Sequence, residues 1–281
     1  MIYCIMGRTG SGKDHLAKML ARKGLRNVLS YATRPKRFEK EATHVFITKE
    51  EAAKIPTTER AASTVIGEYE YFATKEQVKD SDIYIIDPKG LMELARNMPD
   101  TAIHVVYVHA PEEDRLKRAS VRGGKDKAEA EKEAFIKRSA AEDEQFKEFE
   151  EFLDAYVEND GAVPDEFDGY GLANVRNITA YRTFENDYNE EAAREFTDGL
   201  YKYIKCQNGM HGLVRQALDR KVLGKGEGDT IRTVINARGK GEMIEDVCYD
   251  VFADILMHDD EGLAMLTRGI ITGMVTGDDN E

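Results

Sequence analysis

Five consecutive apolar residues at 2–6, IYCIM, lead directly into a glycine-rich turn and then into DHLAKMLARKG, where Leu16, Met19 and Leu20 recur at helical spacing before Gly24. The pattern predicts strand, loop, helix. Further apolar runs at 27–31, 82–86 and 103–108, separated by helical segments such as 89–97, predict buried strands of a largely parallel sheet. Such alternation predicts a doubly wound α/β domain.

From Glu112 to Leu153 the chain is almost wholly helix-forming and highly charged, with Phe135, Phe146, Phe149 and Phe152 as its apolar anchors. This predicts exposed helices that act as a mobile lid. NDGAVPDEFDGYGLANVRN, between about 158 and 177, has the Gly, Asp and Asn content of a loop and is read as an insertion. ITAYRTF at 178–184 predicts a strand, and the following helix carries Ala193, Phe196, Leu200 and Ile204 on one face. That pair closes the domain near residue 205. The remainder holds a second glycine-rich linker, LGKGEGD, and a stripe of Met243, Ile244, Val247, Val251, Ile255 and Leu256, which predicts a small helical tail. The stripe suits packing on its own domain, self-association or a protein partner.

Of the 281 residues, 41% are hydrophobic and 33% charged, the balance of a chain that folds. A net charge of -13 argues against nucleic acid and anionic membrane as partners, because phosphate backbones are bound by clustered Lys and Arg. Cys4, Cys206 and Cys248 are too far apart for a disulfide framework or a metal site, so each reads as a buried small hydrophobe in a reducing compartment. With no secretory leader pattern and no run of about 18 apolar residues, the expected location is the cytoplasm. His211 and His258 lack companions at ligand spacing and receive no metal role.

Gly7, Arg8, Thr9, Gly10, Ser11, Gly12 and Lys13 fit G-x-x-x-x-G-K, directly after a predicted strand and before a predicted helix. Glycines let backbone N–H groups converge on phosphate oxygens, the helix N-terminus adds a favourable dipole, and Lys13 supplies a charge for the β- and γ-phosphates. The expected ligand is ATP with Mg²⁺. After the lysine stands Asp14 where a hydroxyl residue is usual. Its carboxylate is either a hard ligand for Mg²⁺ or a charge that stabilises the helix start. Beyond the first helix, Ser30 is followed by a cationic cluster with Arg34 and Arg37, at a strand end where α/β folds bind ligands.

The series strand, G-x-x-G-x-G-K, helix, then S-x-x-T-R-x-x-R resembles the guanylate kinase family of nucleoside monophosphate kinases. Other pieces follow in family order. The segment from Thr43 to Ile47 is similar to D-Y-x-F-V, GEYEYFAT from Gly67 to Thr74 to G-x-Y-Y-G-T, and Asp87 to Gly90 to D-x-x-G. Arg118 and Arg122 in RASVRGG resemble the arginines of R-x-x-x-R-G, Arg138 resembles a lid arginine, and ENDYNEEA resembles a closing N-D and helix. The resemblance implies a P-loop three-layer fold, a doubly wound largely parallel sheet with a helical lid and a small C-terminal helical tail. It spans residues 1–205, with the insertion at about 150–177, and leaves 206–281 as a helical appendage.

It also implies roles. Lys13, Arg118, Arg122 and Arg138 neutralise the moving phosphoryl group, residues 7–14 hold ATP, and Ser30, Arg34, Arg37, His44, Tyr71 and Asp87 hold the acceptor. Asp87 otherwise reads as a cap on the turn before Pro88. His44 stands where a tyrosine is expected, Ala61 where a guanine-selecting glutamate is expected, and Phe72 where a glycine is expected. The implied reaction is ATP-dependent phosphorylation of a nucleoside monophosphate, GMP or dGMP first. Two alternatives stay open: a kinase for another small phosphorylated acceptor such as ribose 1,5-bisphosphate, and a catalytically inactive nucleotide-gated binding module.

Overall fold

The computed structural model describes residues 1–36, 39–122, 128–158 and 178–219. In chain order the elements are β1 (Ile2–Met6), α1 (Lys13–Arg22), β2 (Tyr31–Ala32), β3 (Val45–Phe46), α2 (Lys49–Ala53), β4 (Arg60–Ile66), β5 (Tyr69–Thr74), α3 (Lys75–Lys79), β6 (Ile83–Ile85), α4 (Pro88–Asn97), β7 (Ile103–His109), α5 (Glu112–Arg122), α6 (Ala128–Glu158), β8 (Ile178–Glu185) and α7 (Glu190–Asp219).

β1 is buried at all five positions, as expected of a strand covered on both faces. It pairs in parallel with β6 on one side and β7 on the other, and β8 pairs in parallel with β7, giving the order β6-β1-β7-β8. Ile2, Cys4 and Met6 join a core with Leu91 and Leu94 of α4 and Phe146, Phe149 and Phe152 of α6. The alternate residues Tyr3 and Ile5 point to the other face, on the side of α1 with its buried Leu16 and Leu20. From β1 the chain reaches β6 on one side, and after α4 it enters β7 on the other. The loop that follows β1 therefore leaves the carboxyl edge of the sheet at a topological switch point.

The run at 27–31 is not a strand of this sheet. Its backbone meets the sheet through Asn27, bridged in parallel to Ile83, and through Val28 N–H, which donates to Ile83 O at 2.9 Å. The chain then turns away, and Tyr31–Ala32 enters a second four-stranded sheet, β3-β2-β5-β4, in which β2 runs parallel to β3 and antiparallel to β5. α4 lies against this sheet: Ala61, Ala62 and Ala73 leave room for it, and Glu93 accepts from Ser63 N–H at 2.7 Å.

α5 and α6 fall within the segment expected as an exposed lid, but the second half of α6 is core. Phe146, Phe149 and Phe152 are nearly inaccessible, because spacings of three residues bring them to one stripe facing the sheet. α6 also continues as helix through 150–158, the first part of the expected insertion. Residues 159–177 and the Met243–Leu256 stripe lie outside the described residues. The chain divides into two units, Met1–Thr197 and Asp198–Glu281, with the division inside α7. Among the described residues, no helix is long and apolar enough to cross a membrane.

Candidate phosphate-binding site

Gly7, Gly10 and Gly12 all have positive φ, and two of them are hemmed in by other segments. A Cβ on Gly7 would lie 2.4 Å from Val108 O at the end of β7, and one on Gly12 would lie 2.2 Å from Asn186 Nδ2. The loop's carbonyls are held from outside. Arg115 Nη1 donates to Thr9 O at 3.2 Å, Tyr188 Oη to Gly10 O at 2.9 Å and Asn186 Nδ2 to Ser11 O at 2.6 Å. A peptide's C=O and the N–H that follows point in opposite directions, so the anchored carbonyls of Thr9 and Ser11 turn the amides of Gly10 and Gly12 away from these donors, whereas the Ser11 amide is used within the loop.

The chain returns on itself through Arg8 O, which accepts from Ser11 N–H at 3.1 Å and from Lys13 Nζ at 3.3 Å. Gly12 is the N-cap of α1 and makes no side-chain cap bond, so no cap side chain covers the Lys13 and Asp14 amides, while His15 N–H donates to Gly12 O at 2.9 Å. Ser11 Oγ is buried with no hydrogen-bond partner. At the front of the loop, Thr9 N–H and Oγ1 donate to the two oxygens of Glu142 at 2.7 and 2.8 Å. The Thr9 amide and hydroxyl thus form a donor pair that takes a carboxylate of the protein's own α6.

Arg8 is turned toward α6. Its Nε and Nη2 donate to both oxygens of Glu150 at 2.8 and 2.7 Å, Nη1 donates to Asp143 at 2.5 Å, and the guanidinium lies 5.8 Å from the centre of the Phe146 ring. Tyr107 Oη also donates to Glu150. The bond to Glu150 raises the Arg8 pKa further above its ordinary value. Burial pushes the Glu150 carboxyl up, but bonds from Arg8 and Tyr107 outweigh it and hold the group below its ordinary value.

Asp14 is exposed in the first turn of α1, where its charge complements the helix dipole without a capping bond. Its carboxylate is a hard oxygen donor of the type Mg²⁺ takes. Among the described residues, no group of three or more His, Cys, Asp and Glu is placed to hold a metal ion.

Of the expected acceptor residues, Ser30, His44 and Tyr71 come together beside the second sheet. Ser30 Oγ is 2.9 Å from His44 Nδ1, and the His44 and Tyr71 rings are 5.5 Å apart. Arg34 reaches Tyr71 of this group but is held chiefly by Glu41: its two terminal nitrogens donate to Glu41 at 3.0 and 2.6 Å, and both side chains are buried. Arg37 lies outside the described residues. Asp87 caps α4 by accepting from Gly90 N–H at 2.7 Å and also accepts from Gln145 Nε2 at 3.1 Å. Among the expected catalytic arginines, Arg118 stacks over Tyr188 at 3.9 Å, one bond from the loop. Arg122 ends α5, and exposed Arg138 lies one turn before Glu142 on α6.

No family model matches the chain, and no curated protein matches it. Among solved structures, it is similar to the guanylate kinase from Anaplasma phagocytophilum, at 14% identity over 71% of this chain and 84% of that chain, with a TM-score of 0.39. What the site can do rests on its own geometry.

The sequence did not point to Glu142, Glu150 or Arg115, which contact the loop from α6 and α5, or to Tyr107 of β7, which bonds Glu150. No motif marks them. Asn186 and Tyr188 lie in the ENDYNEEA segment, and the signal for their role was the asparagine just after an apolar strand, where a side chain can reach the neighbouring strand-end loop.

Proposed function

We propose that this chain is an ATP-dependent phosphotransferase that acts on a nucleoside monophosphate, with GMP and dGMP as the first acceptors to test. The observation that carries this reading is the loop Gly7–Lys13, with its positive-φ glycines and its carbonyls at 9–11 held from outside, at the switch point of a parallel sheet, where a helix N-terminus suits an anion. The polar group of Ser30, His44 and Tyr71 supports a second substrate site. The motifs that resemble the guanylate kinase family lie in residues 1–205, which we take as the catalytic part, with 206–281 as an appendage.

In this reading the loop amides and Lys13 hold the β- and γ-phosphates, while Arg118, Arg122 and Arg138 offset charge on the moving group. Phosphoryl transfer asks little covalent chemistry of a protein, so positioning and charge stabilisation supply the rate. Mg²⁺, with Asp14 as the candidate protein ligand, would neutralise the phosphate chain when bound. Ser30, His44 and Tyr71, with Arg37, would orient the acceptor phosphate. Arg34 would act there from its pair with Glu41.

The test is ADP release measured over GMP, dGMP, the other nucleoside monophosphates and ribose 1,5-bisphosphate, with Lys13→Met as control. Turnover with one monophosphate, lost in Lys13→Met, supports the reading. Turnover with ribose 1,5-bisphosphate alone moves the acceptor to a sugar phosphate. Uniform inactivity with ATP binding intact, together with association that depends on the tail, favours a nucleotide-gated binding module, the reading motivated by Asp14, Ala61 and His44 as departures from the family pattern.

A further inference from the structure

Arg8 occupies the second position of the phosphate loop, yet its charge is directed away from the anion site. Both edges of its guanidinium are used by α6: Nε and Nη2 on Glu150, Nη1 on Asp143. Glu150 is itself held by a third donor, Tyr107 Oη of β7, so a buried strand, the loop and a core helix meet at one carboxylate. The backbone of Arg8 has a different task. Its carbonyl accepts from Ser11 N–H and from Lys13 Nζ, so the place of this one carbonyl sets both the turn of the loop and the resting position of its lysine. A long side chain fixed at its tip, with Phe146 against its guanidinium, restricts the backbone that bears it.

We propose that Glu150 is a positioning residue for the phosphate loop, acting through Arg8: by clamping the guanidinium it holds the Arg8 carbonyl where it orders the Ser11 amide and the Lys13 ammonium. Arg8 then contributes to anion binding through its main chain, and its side chain ties the loop to α6. The inference rests on the nucleotide-binding reading only for its effect on affinity. Its effect on the loop is independent of any ligand.

The experiment uses the full chain as wild type, Glu150→Gln, Arg8→Lys, the double variant and Tyr107→Phe. Amide hydrogen exchange of residues 8–13 is followed without nucleotide, ATP affinity is measured by calorimetry, and melting is measured in parallel. Glu150→Gln and Arg8→Lys are each expected to speed exchange of the Ser11 amide and to weaken ATP binding roughly tenfold, the scale of a lost charge-assisted bidentate pair. The double variant should be no worse than either single change, because both break one link. Tyr107→Phe, the mildest change, should shift exchange in the same direction by less and keeps the test open if Glu150→Gln fails to fold.

Lower melting with unchanged Ser11 exchange and unchanged ATP affinity would make the contact purely structural and overturn the proposal. So would tighter ATP binding in Glu150→Gln, which would mark Glu150 as a repelling charge, or additive effects of the two changes. If wild type binds no ATP, the nucleotide reading fails by itself, and Ser11 exchange in the nucleotide-free protein still decides the positioning role.

Discussion

Gly12 has φ 103° and carries no side chain into the 2.2 Å gap before Asn186 Nδ2. Alanine there would be strained by its backbone and would push out the donor that holds Ser11 O. Gly12→Ala should therefore cost about 3 kcal/mol in a urea melt, combining backbone strain with one lost hydrogen bond. Arg34 poses a separate question, because a phosphate-gripping arginine and a buried structural one respond differently to removal. Its pair with Glu41 is almost sealed from water, so Arg34→Ala leaves a buried carboxylate without its guanidinium counter-charge and should cost about 3 kcal/mol without any ligand. A change confined to acceptor affinity, with stability intact, would show that the pair opens freely. Glu150 adds a dependence on pH. Its folded-state pKa is depressed, so its contribution is present above the ordinary value of 4.5 and is lost as pH falls through the lower folded-state value. The stability gap between wild type and Glu150→Gln should therefore be widest above that pH and close below it, as read from melts taken across the acid range.

At the scale of elements, the parts legible in the sequence were those whose local pattern matches their final surroundings. β1 and β7 read as strands because continuous apolar runs suit a strand covered on both faces, and the loop Gly7–Lys13 read as a motif because its glycines and lysine lie within seven residues. The second sheet was not legible: β2 and β3 have two residues each, too few to show a period, and their pairing is fixed by β5 some 40 residues on. α6 misled in another way, since its many charges concealed a stripe of phenylalanines. The loop's carboxylate partners were hidden for the same reason, as Glu142 and Glu150 are two among many acidic residues on one helix. The stripe makes a prediction that an exposed lid would not. Phe149→Ala should cost about 3–5 kcal/mol, whereas Ile136→Ala, on the exposed side of the same helix, should stay within about 0.5 kcal/mol. Chemical denaturation of the two variants distinguishes a core helix from a detached one.

At the scale of the whole molecule, the loop is a junction rather than a peripheral turn. Segments as distant in sequence as α5, α6 and the turn after β8 each contribute a side chain that fixes one of its peptide groups. A ligand bound there is therefore linked to the folding of the entire unit Met1–Thr197, since unfolding any one of these segments releases the loop. Saturation with ATP at a hundred times its dissociation constant adds about 2.7 kcal/mol, which for a unit of this size corresponds to a rise in melting temperature of about 5–10 °C. Lys13→Met should abolish that rise while changing the nucleotide-free protein by only about 1 kcal/mol, the scale of a hydrogen bond such as that from Lys13 Nζ to Arg8 O. Thermal melts of both proteins across an ATP titration make the comparison. A rise that survives in Lys13→Met would move the nucleotide to another part of the chain, because only binding at the loop depends on this one ammonium group.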